Sequence, residues 1–453
     1  MIILKILLGL VGLGVVVFVH ELGHFIAARA AGIDVEAFSL GWGKTILSKK
    51  VGTVEYRIAL FPVGGYCKMR GDTDFQKAWQ DNKDHVKEDR GTFLGAHPAA
   101  RMLVAFAGPF FNVLFAVIVF SVIWGAGFEY TTMENRIVLA SDINPGESYP
   151  AERAGLLSGD KIIAINKMKI ENYYDIQTAV ALNAKKDLQF TVLRDGKEMQ
   201  FVIKPELEKS TGAGKIGIYF WADPVIENID DNSAAAAAGL LAGDRILKIN
   251  GQDFNYTVEL LKILGDDKEN TAQLNLEVLR AGKTFDTVLQ LGEGNEDTLG
   301  IAWQAVHYKT PKYSPLGAIA KGSVETWKMF ATSVYSLSLL FGGVDLTKAV
   351  SGPVRITYMT GDIAAAGFQQ SIGKGLRSVG NFLAIISIAL AVMNLLPLPI
   401  LDGGLIVIFF VELLRRRPMN PRFIAAFQTV GIVLIAGLMI VAVFGDILFL
   451  FKQ

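Results

Sequence analysis

The chain has 453 residues, is 51% hydrophobic and has a mean hydropathy of +0.37, which is too apolar for an ordinary soluble protein and directs attention to membrane spans. Its 44 basic and 44 acidic residues cancel, so no global charge points to nucleic acid. The single cysteine, Cys67, excludes an intrachain disulfide and any cysteine-rich metal site.

The first apolar run, residues 2–31, carries one charge, Lys5, before it reaches His20-Glu21-Leu22-Gly23-His24. On a helix, residues four apart share a face. His20 and His24 can then offer nitrogens to one metal ion, and Glu21 is placed to hold water beside it. Two histidines and a glutamate inside an apolar run are costly in lipid unless they work or pair. The plain alternative is a chance match, with both histidines satisfied within a helix bundle. Ala27, Ala28, Ala30 and Ala31 offer the small residues of a signal-peptide site. The run is longer than a usual signal core and cleavage there would remove the motif, so a retained helix is expected.

Residues 32–98 read as β structure. Stretches 35–40, 54–61 and 66–69 alternate imperfectly, punctuated by Gly41, Gly43, Gly64 and Gly65. Residues 76–90 are charged and polar, as in a mobile solvated stretch. A second apolar run covers 99–128.

An internal repeat follows. Ala154-Gly155-Leu156-Leu157-Ser158-Gly159-Asp160 recurs as Ala238-Gly239-Leu240-Leu241-Ala242-Gly243-Asp244. Val192-Leu193-Arg194 recurs as Val278-Leu279-Arg280, and Ile216-Gly217-Ile218 as Leu299-Gly300-Ile301. Each unit reads as a helix start, a Gly-Asp turn, β-branched strands and a hairpin, so two small α+β domains are expected at 129–222 and 223–308.

Within 309–376, residues 329–344 are apolar but interrupted by Thr332, Ser333, Ser336 and Ser338. They read as an amphipathic helix on the membrane surface, or one partly embedded. The third span, 377–414, is broken by Pro397, Pro399, Gly403 and Gly404, which is tolerated at membrane depth only where protein or a cavity covers the break. A fourth span lies within 423–453. Arg415, Arg416, Arg417 and Arg422 crowd the loop 415–422 and place it in the cytoplasm. With four spans, residues 32–98 are cytoplasmic as well and the repeat lies outside.

A catalytic zinc site usually takes three protein ligands and a water, so a third ligand is needed. Asp402 is the only acidic residue between Asp362 and Glu412. The depths agree. His20 lies roughly 27 Å along its helix from Ile2, and Asp402 roughly 34 Å from Val379 before proline kinking shortens the path. The alternative is a turn aspartate steadying the Pro/Gly break. Zinc held by His20, His24 and Asp402, with Glu21 as base, implies peptide hydrolysis, and a site within the membrane implies a substrate that is itself a membrane helix.

These residues resemble the site-2 protease family of intramembrane zinc metalloproteases, in its RseP-like bacterial branch of regulator-of-sigma-E proteases. The resemblance covers nearly the whole chain. It rests on His20-Glu21-x-x-His24, on Gly108-Pro109-Phe110-Phe111-Asn112, and on Asn394-Leu395-Leu396-Pro397-Leu398-Pro399-Ile400-Leu401-Asp402-Gly403. It implies a polytopic α-helical membrane protein with four transmembrane helices, a cytoplasmic-side β-loop and two tandem extracytoplasmic PDZ-like domains. His20, His24 and Asp402 match the family's zinc ligands and Glu21 its base. Asn394 matches a residue thought to engage the substrate backbone. Asn112 matches the second motif's asparagine, with a helix–helix hydrogen bond as the equal alternative.

The stretch from Phe61 to Met69, with Gly64, Gly65 and Tyr66 at its centre, resembles a membrane-re-entrant β-loop that receives substrate as an added strand. Cys67 departs from the aliphatic residue expected there and reads as a small apolar filler. Ser351-Gly352-Pro353-Val354 resembles a segment that follows the PDZ pair. The PDZ-like domains could bind a carboxylate near Gly217 and Gly300, or act as a size filter. His85, His97 and His307 match no motif. The expected substrates are transmembrane proteins in the lipid bilayer, typified by a pre-trimmed anti-sigma factor and by remnant signal peptides, at the bacterial inner membrane. The competing reading is a catalytically inactive membrane scaffold.

Overall fold

The computed structural model describes residues 2–71, 89–209, 211–266, 273–291, 299–339 and 352–450. The chain divides into two compact units, Met1–Phe128 with Pro311–Gln453, and Glu129–Thr310.

The helices of the first unit are α1 (Ile2–Ala30), α2 (Pro98–Ala126), α3 (Pro315–Leu339), α4 (Pro353–Gln370), α5 (Ile372–Asn394), α6 (Asp402–Arg415) and α7 (Pro421–Leu450). Among the described residues, Gly9–Ala30, Pro98–Ala126, Ile372–Asn394 and Arg422–Asp446 are long and apolar enough to cross a membrane. Where lipid gives helices no hydrophobic reason to pair, small residues let backbones approach closely. A Cβ on Gly23 of α1 would lie 2.3 Å from Ala107 O of α2, and one on Gly9 would lie 2.1 Å from Thr357 O of α4.

The third apolar run is two helices. The α5 helix starts at Ile372, where the Ser371 side chain accepts from Lys374 N and caps it, so it begins before the expected boundary. It ends at Asn394, and α6 restarts at Asp402. Pro397 and Pro399 bring no N–H to this stretch. Its turn folds tightly onto the start of α6. A Cβ on Gly403 would lie 2.3 Å from Leu396 O, and one on Gly404 would lie 2.1 Å from Leu398 O.

Residues 329–339 belong to α3, one face of which packs in the helix bundle. A Cβ on Gly322 would lie 2.6 Å from Ser121 N of α2. Met329, Phe330 and Leu337 pack against Phe120, Ala384 and Ile388. Trp327 and Val334 stay exposed on the other face. Residues 340–344 lie outside the described residues, as do 72–88, which include most of the expected charged stretch. Buried Asp446 of α7 accepts from the backbone N–H groups of Gly352 and Val354, at 2.9 Å each, and so satisfies the start of α4.

The expected three strands are one bent antiparallel hairpin, β1 (Val35–Val51) and β2 (Val54–Met69). Its register shifts repeatedly, and Gly41 and Gly43 have φ of 90° and 92°. Phe38 faces Tyr56 on one side and Cys67 on the other. Residues 65–69 pair with β1 alone and form an edge.

The second unit holds two α+β modules of the same plan. The strands Lys161–Ile165, Met168–Lys169, Leu188–Arg194 and Lys197–Ile203 form one four-stranded sheet. Arg245–Ile249, Gln252–Asp253, Gln273–Arg280 and Lys283–Gln290 form another in the matching order. The repeated Gly-Asp and Leu-Arg elements are partners. Arg194 Nε and Nη2 donate to Asp160 at 2.7 Å each, and Arg280 Nε and Nη2 donate to Asp244 at 2.7 Å each. Both arginines also donate to a backbone carbonyl, of Gly155 and Gly239 respectively. Gly217 and Gly300, with φ of 76° and 66°, precede the matching strands Ile218–Phe220 and Ile301–Trp303.

Burial raises the Asp244 carboxyl, but the Arg280 hydrogen bonds and Leu241 N–H outweigh it and hold it below its ordinary value. A folded pKa that is depressed stabilises the fold above the unfolded pKa of about 4, and the contribution is lost as pH falls through the folded value. Arg280→Ala should lower stability at neutral pH, because Asp244 stays buried without its partner. It should also flatten the acid dependence of unfolding, as read by denaturant titration at stepped pH.

Candidate metal centre

The α1 helix brings His20 and His24 to one face, and α6 presents Asp402 from its first residue. Asp402 Oδ2 lies 3.1 Å from His20 Nε2 and 3.5 Å from His24 Nε2. The two Nε2 atoms stand 3.2 Å apart. All three side chains are largely buried, His20 being 6% exposed and His24 8%. Asp402 Oδ2 is buried without a hydrogen-bond partner. Two nitrogen lone pairs and a carboxylate oxygen repel one another at these distances unless a cation lies among them. Zinc–nitrogen bonds of about 2.0–2.1 Å in tetrahedral geometry set ligand atoms about 3.3 Å apart. The donor set and its spacing fit zinc.

The surroundings orient each ring. His24 Nδ1 donates to Val104 O at 2.8 Å, which keeps its proton there and leaves the Nε2 lone pair free. His20 Nδ1 stands 3.2 Å from the side-chain amide of fully buried Asn112. With Nε2 turned toward Asp402, the His20 proton belongs on Nδ1, so Asn112 must present its oxygen to the ring. In that orientation Asn112 Oδ1, otherwise a buried acceptor without a donor, receives the ring N–H. Ser387 Oγ donates to Asn112 O at 3.0 Å and ties α5 to the same point. Gly108 gives the rings room. A Cβ there would lie 2.4 Å from His24 Nε2 and 2.8 Å from His20 Cε1.

A cavity of about 520 Å³ opens onto the cluster. Its lining includes His20, Glu21, His24, Asn394 and Asp402 together with Tyr66 from the edge of β2. The Asn394 amide nitrogen lies 3.5 Å from His20 Nε2. A Cβ on Gly65 would lie 3.4 Å from Glu21 Cγ, an ordinary contact, and only 2.7 Å from Ser39 O of β1, so glycine is needed there for the β1–β2 approach. On Gly64, with φ of 97°, a Cβ would overlap the Trp42 ring. The structure thus gathers His20, Glu21, His24, Asn394, Asp402, Gly65 and Tyr66 at one place, with Asn112 behind His20.

Gly217 and Gly300 lie in the second unit. A Cβ on Gly217 would overlap Tyr149 and one on Gly300 would overlap Ser233. Trp42 and Ile400 are among the lining residues that sequence reasoning did not assign to the site. Trp42 carries no motif signal. Ile400 adopts φ of 80°, which is strained for a β-branched residue, and it lies two residues before Asp402. Cys67 lines the cavity too. His97 caps α2 by accepting from Ala99 N, His307 Nε2 lies 2.6 Å from Glu227 Oε1, and His85 is outside the described residues.

A family model described as peptidase family M50 matches residues 8–438. A Treponema pallidum protein assigned by name to the zinc metalloproteases is 38% identical over 450 residues, covering 99% of this chain and 100% of its own. The regulator of sigma-E protease RseP of Escherichia coli is 28% identical over 458 residues, covering 96% of this chain and 97% of its own. The corresponding Salmonella typhimurium protein is 30% identical over 460 residues, with 96% and 97% coverage. The chain belongs to peptidase family M50, the site-2 proteases, and is a zinc metalloendopeptidase of the membrane.

Removing one ligand or crowding the rings should release the metal. Asp402→Ala and Gly108→Ala should each lower zinc content well below one ion per chain, measured by elemental analysis of the detergent-purified protein. Asn112→Ala should weaken zinc affinity roughly 10–100-fold without abolishing binding.

Proposed function

We propose that this M50 peptidase hydrolyses a peptide bond within the membrane-spanning segment of a single-span protein, at the cavity where His20, His24, Asp402 and Glu21 meet. The observation that carries this reading is the convergence of that donor set with the last residues of β2, Tyr66 among them, in one cavity among apolar helices. Zinc held by His20, His24 and Asp402 supplies a Lewis acid that polarises the scissile carbonyl and lowers the pKa of a water.

Glu21 is the group that takes the proton of the attacking water and returns it to the leaving amine. Asn394 offers an amide able to donate to a carbonyl or accept from an N–H of the substrate backbone. The edge around Gly64, Gly65 and Tyr66 offers main-chain partners to a substrate strand, replacing hydrogen bonds that a substrate helix gives up when it opens. Asn112 acts through His20 by orienting its ring.

The two α+β modules are PDZ-like domains outside the inner membrane in this reading, with the basic loop carrying Arg415, Arg416, Arg417 and Arg422 in the cytoplasm. They act as a size filter. One observation favours filtering over carboxylate capture in the first module. Tyr149 packs on the loop at Gly217, on the ground a peptide carboxylate would have to reach. The substrates are then membrane proteins already shortened outside, of the anti-sigma-factor type, and remnant signal peptides. The inactive-scaffold alternative requires a missing ligand or base, and His20, Glu21, His24 and Asp402 are all in place.

Glu21→Gln should keep zinc while cleavage of a single-span test substrate falls by at least about a hundredfold, since glutamine can hold water but cannot take its proton. Appreciable turnover would assign the base to another group. Deleting residues 129–305 should let the enzyme cut substrates that still carry an outer domain. Continued rejection of untrimmed substrate by an otherwise active deletion variant would rule out the filter.

A further inference from the structure

A second concavity, of about 480 Å³, lies where the start of α2 meets the end of α6, apart from the metal cluster. Its size falls within the roughly 300–1,000 Å³ typical of ligand sites. The charges lining it do not balance. Arg101 is buried, its Nη2 lies 2.8 Å from Glu412 Oε2, and its Nε donates to Ala96 O. Glu412 Oε1 accepts from Met419 N at 2.8 Å. The one acid in the lining is therefore paired with Arg101 and with the Met419 backbone. Arg416 and Arg417 line the same cavity and have no ion-pair or hydrogen-bond partner among the described residues.

Two guanidinium groups without a partner among the described residues thus share the cavity with apolar Leu94 and Leu413. The cavity opens at the end of a 29-residue helix apolar enough to span a membrane, which is the depth of lipid headgroups. A bias toward positive loops explains the number of arginines but does not require a cavity to receive them. Arginine forks match phosphate oxygens in pairs, and basic pockets between membrane helices suit anionic headgroups.

We propose that this cavity binds the phosphate group of an anionic membrane lipid, with Arg416 and Arg417 as its donors. The acyl chains leave along the apolar wall. Arg101 and Glu412 neutralise each other beneath the headgroup and hold the ends of α2 and α6 together.

The test uses the full-length chain, detergent-purified and titrated with phosphatidylglycerol in a phosphatidylcholine background, with bound lipid read by native mass spectrometry. Arg416→Gln with Arg417→Gln should weaken phosphatidylglycerol binding roughly tenfold or more, at unchanged zinc content. Arg415→Gln with Arg422→Gln removes the same charge from the same loop but outside the cavity, and should change binding by no more than about twofold. An equal loss in the two double variants would overturn the pocket in favour of diffuse attraction. Inorganic phosphate bound as tightly as phosphatidylglycerol would overturn the lipid as its source.

Discussion

Two imidazole nitrogens and a carboxylate oxygen, held 3.1–3.5 Å apart among apolar helices, are the constraint to which the membrane unit is built. Such a set is unfavourable in a low-dielectric setting unless a cation resolves it. Much of the surrounding architecture serves to bring the three atoms together. Gly23 and Gly108 allow α1 and α2 to approach until the rings of His20 and His24 lie against the α2 backbone. Val104 O and Asn112 then fix which ring nitrogen keeps its proton. The break between α5 and α6 puts Asp402 at a helix start, where a short turn can aim it, instead of on a continuous helix face.

The same break shapes the space for a substrate. Ile400 holds an unfavourable φ beside the metal ligands, a form of strain that persists only where its surroundings dictate it. Gly431 of α7 packs against Pro399, with a Cβ there only 2.4 Å from Pro399 O, so the last helix braces the turn. At the far end of α6, Glu412 is fastened to Arg101 of α2 and to Met419 N. Helix α6 is thus fixed at both ends, and Asp402 is positioned by packing as well as by the metal it would hold. The β2 edge completes the cavity from another side, with Gly65 letting it close on Ser39 O of β1.

What the sequence revealed followed the range of the interactions involved. The histidine pair is local, one helical turn apart, and legible from spacing alone. Asp402 could be found because acidic residues are scarce in an apolar run and because Pro397, Pro399, Gly403 and Gly404 announce the break. The two modules were visible as a repeat because each needs the same buried Asp–Arg pair, Asp160 with Arg194 and Asp244 with Arg280. The serine- and threonine-rich stretch before residue 340 reads as a surface or partly embedded helix, and which of its residues pack inward is not legible from its composition. Ser338 of that stretch donates to Tyr335 O within its own helix, so part of its polarity is met locally. The bent register of β1 and β2, the place of Trp42 and the pairing of Asn112 with His20 depend on contacts between distant segments, and no local pattern encodes them.

The account stands on proteolysis within the membrane at a zinc site made by His20, His24 and Asp402. The most direct measurement is the position of the cut. A purified single-span substrate is incubated with the full-length enzyme in lipid vesicles, with zinc removed and then restored, and the products are sized by mass spectrometry. The account predicts a cut inside the apolar segment that is lost on chelation and regained with zinc. A cut confined to residues outside that segment, or one indifferent to zinc, would contradict it.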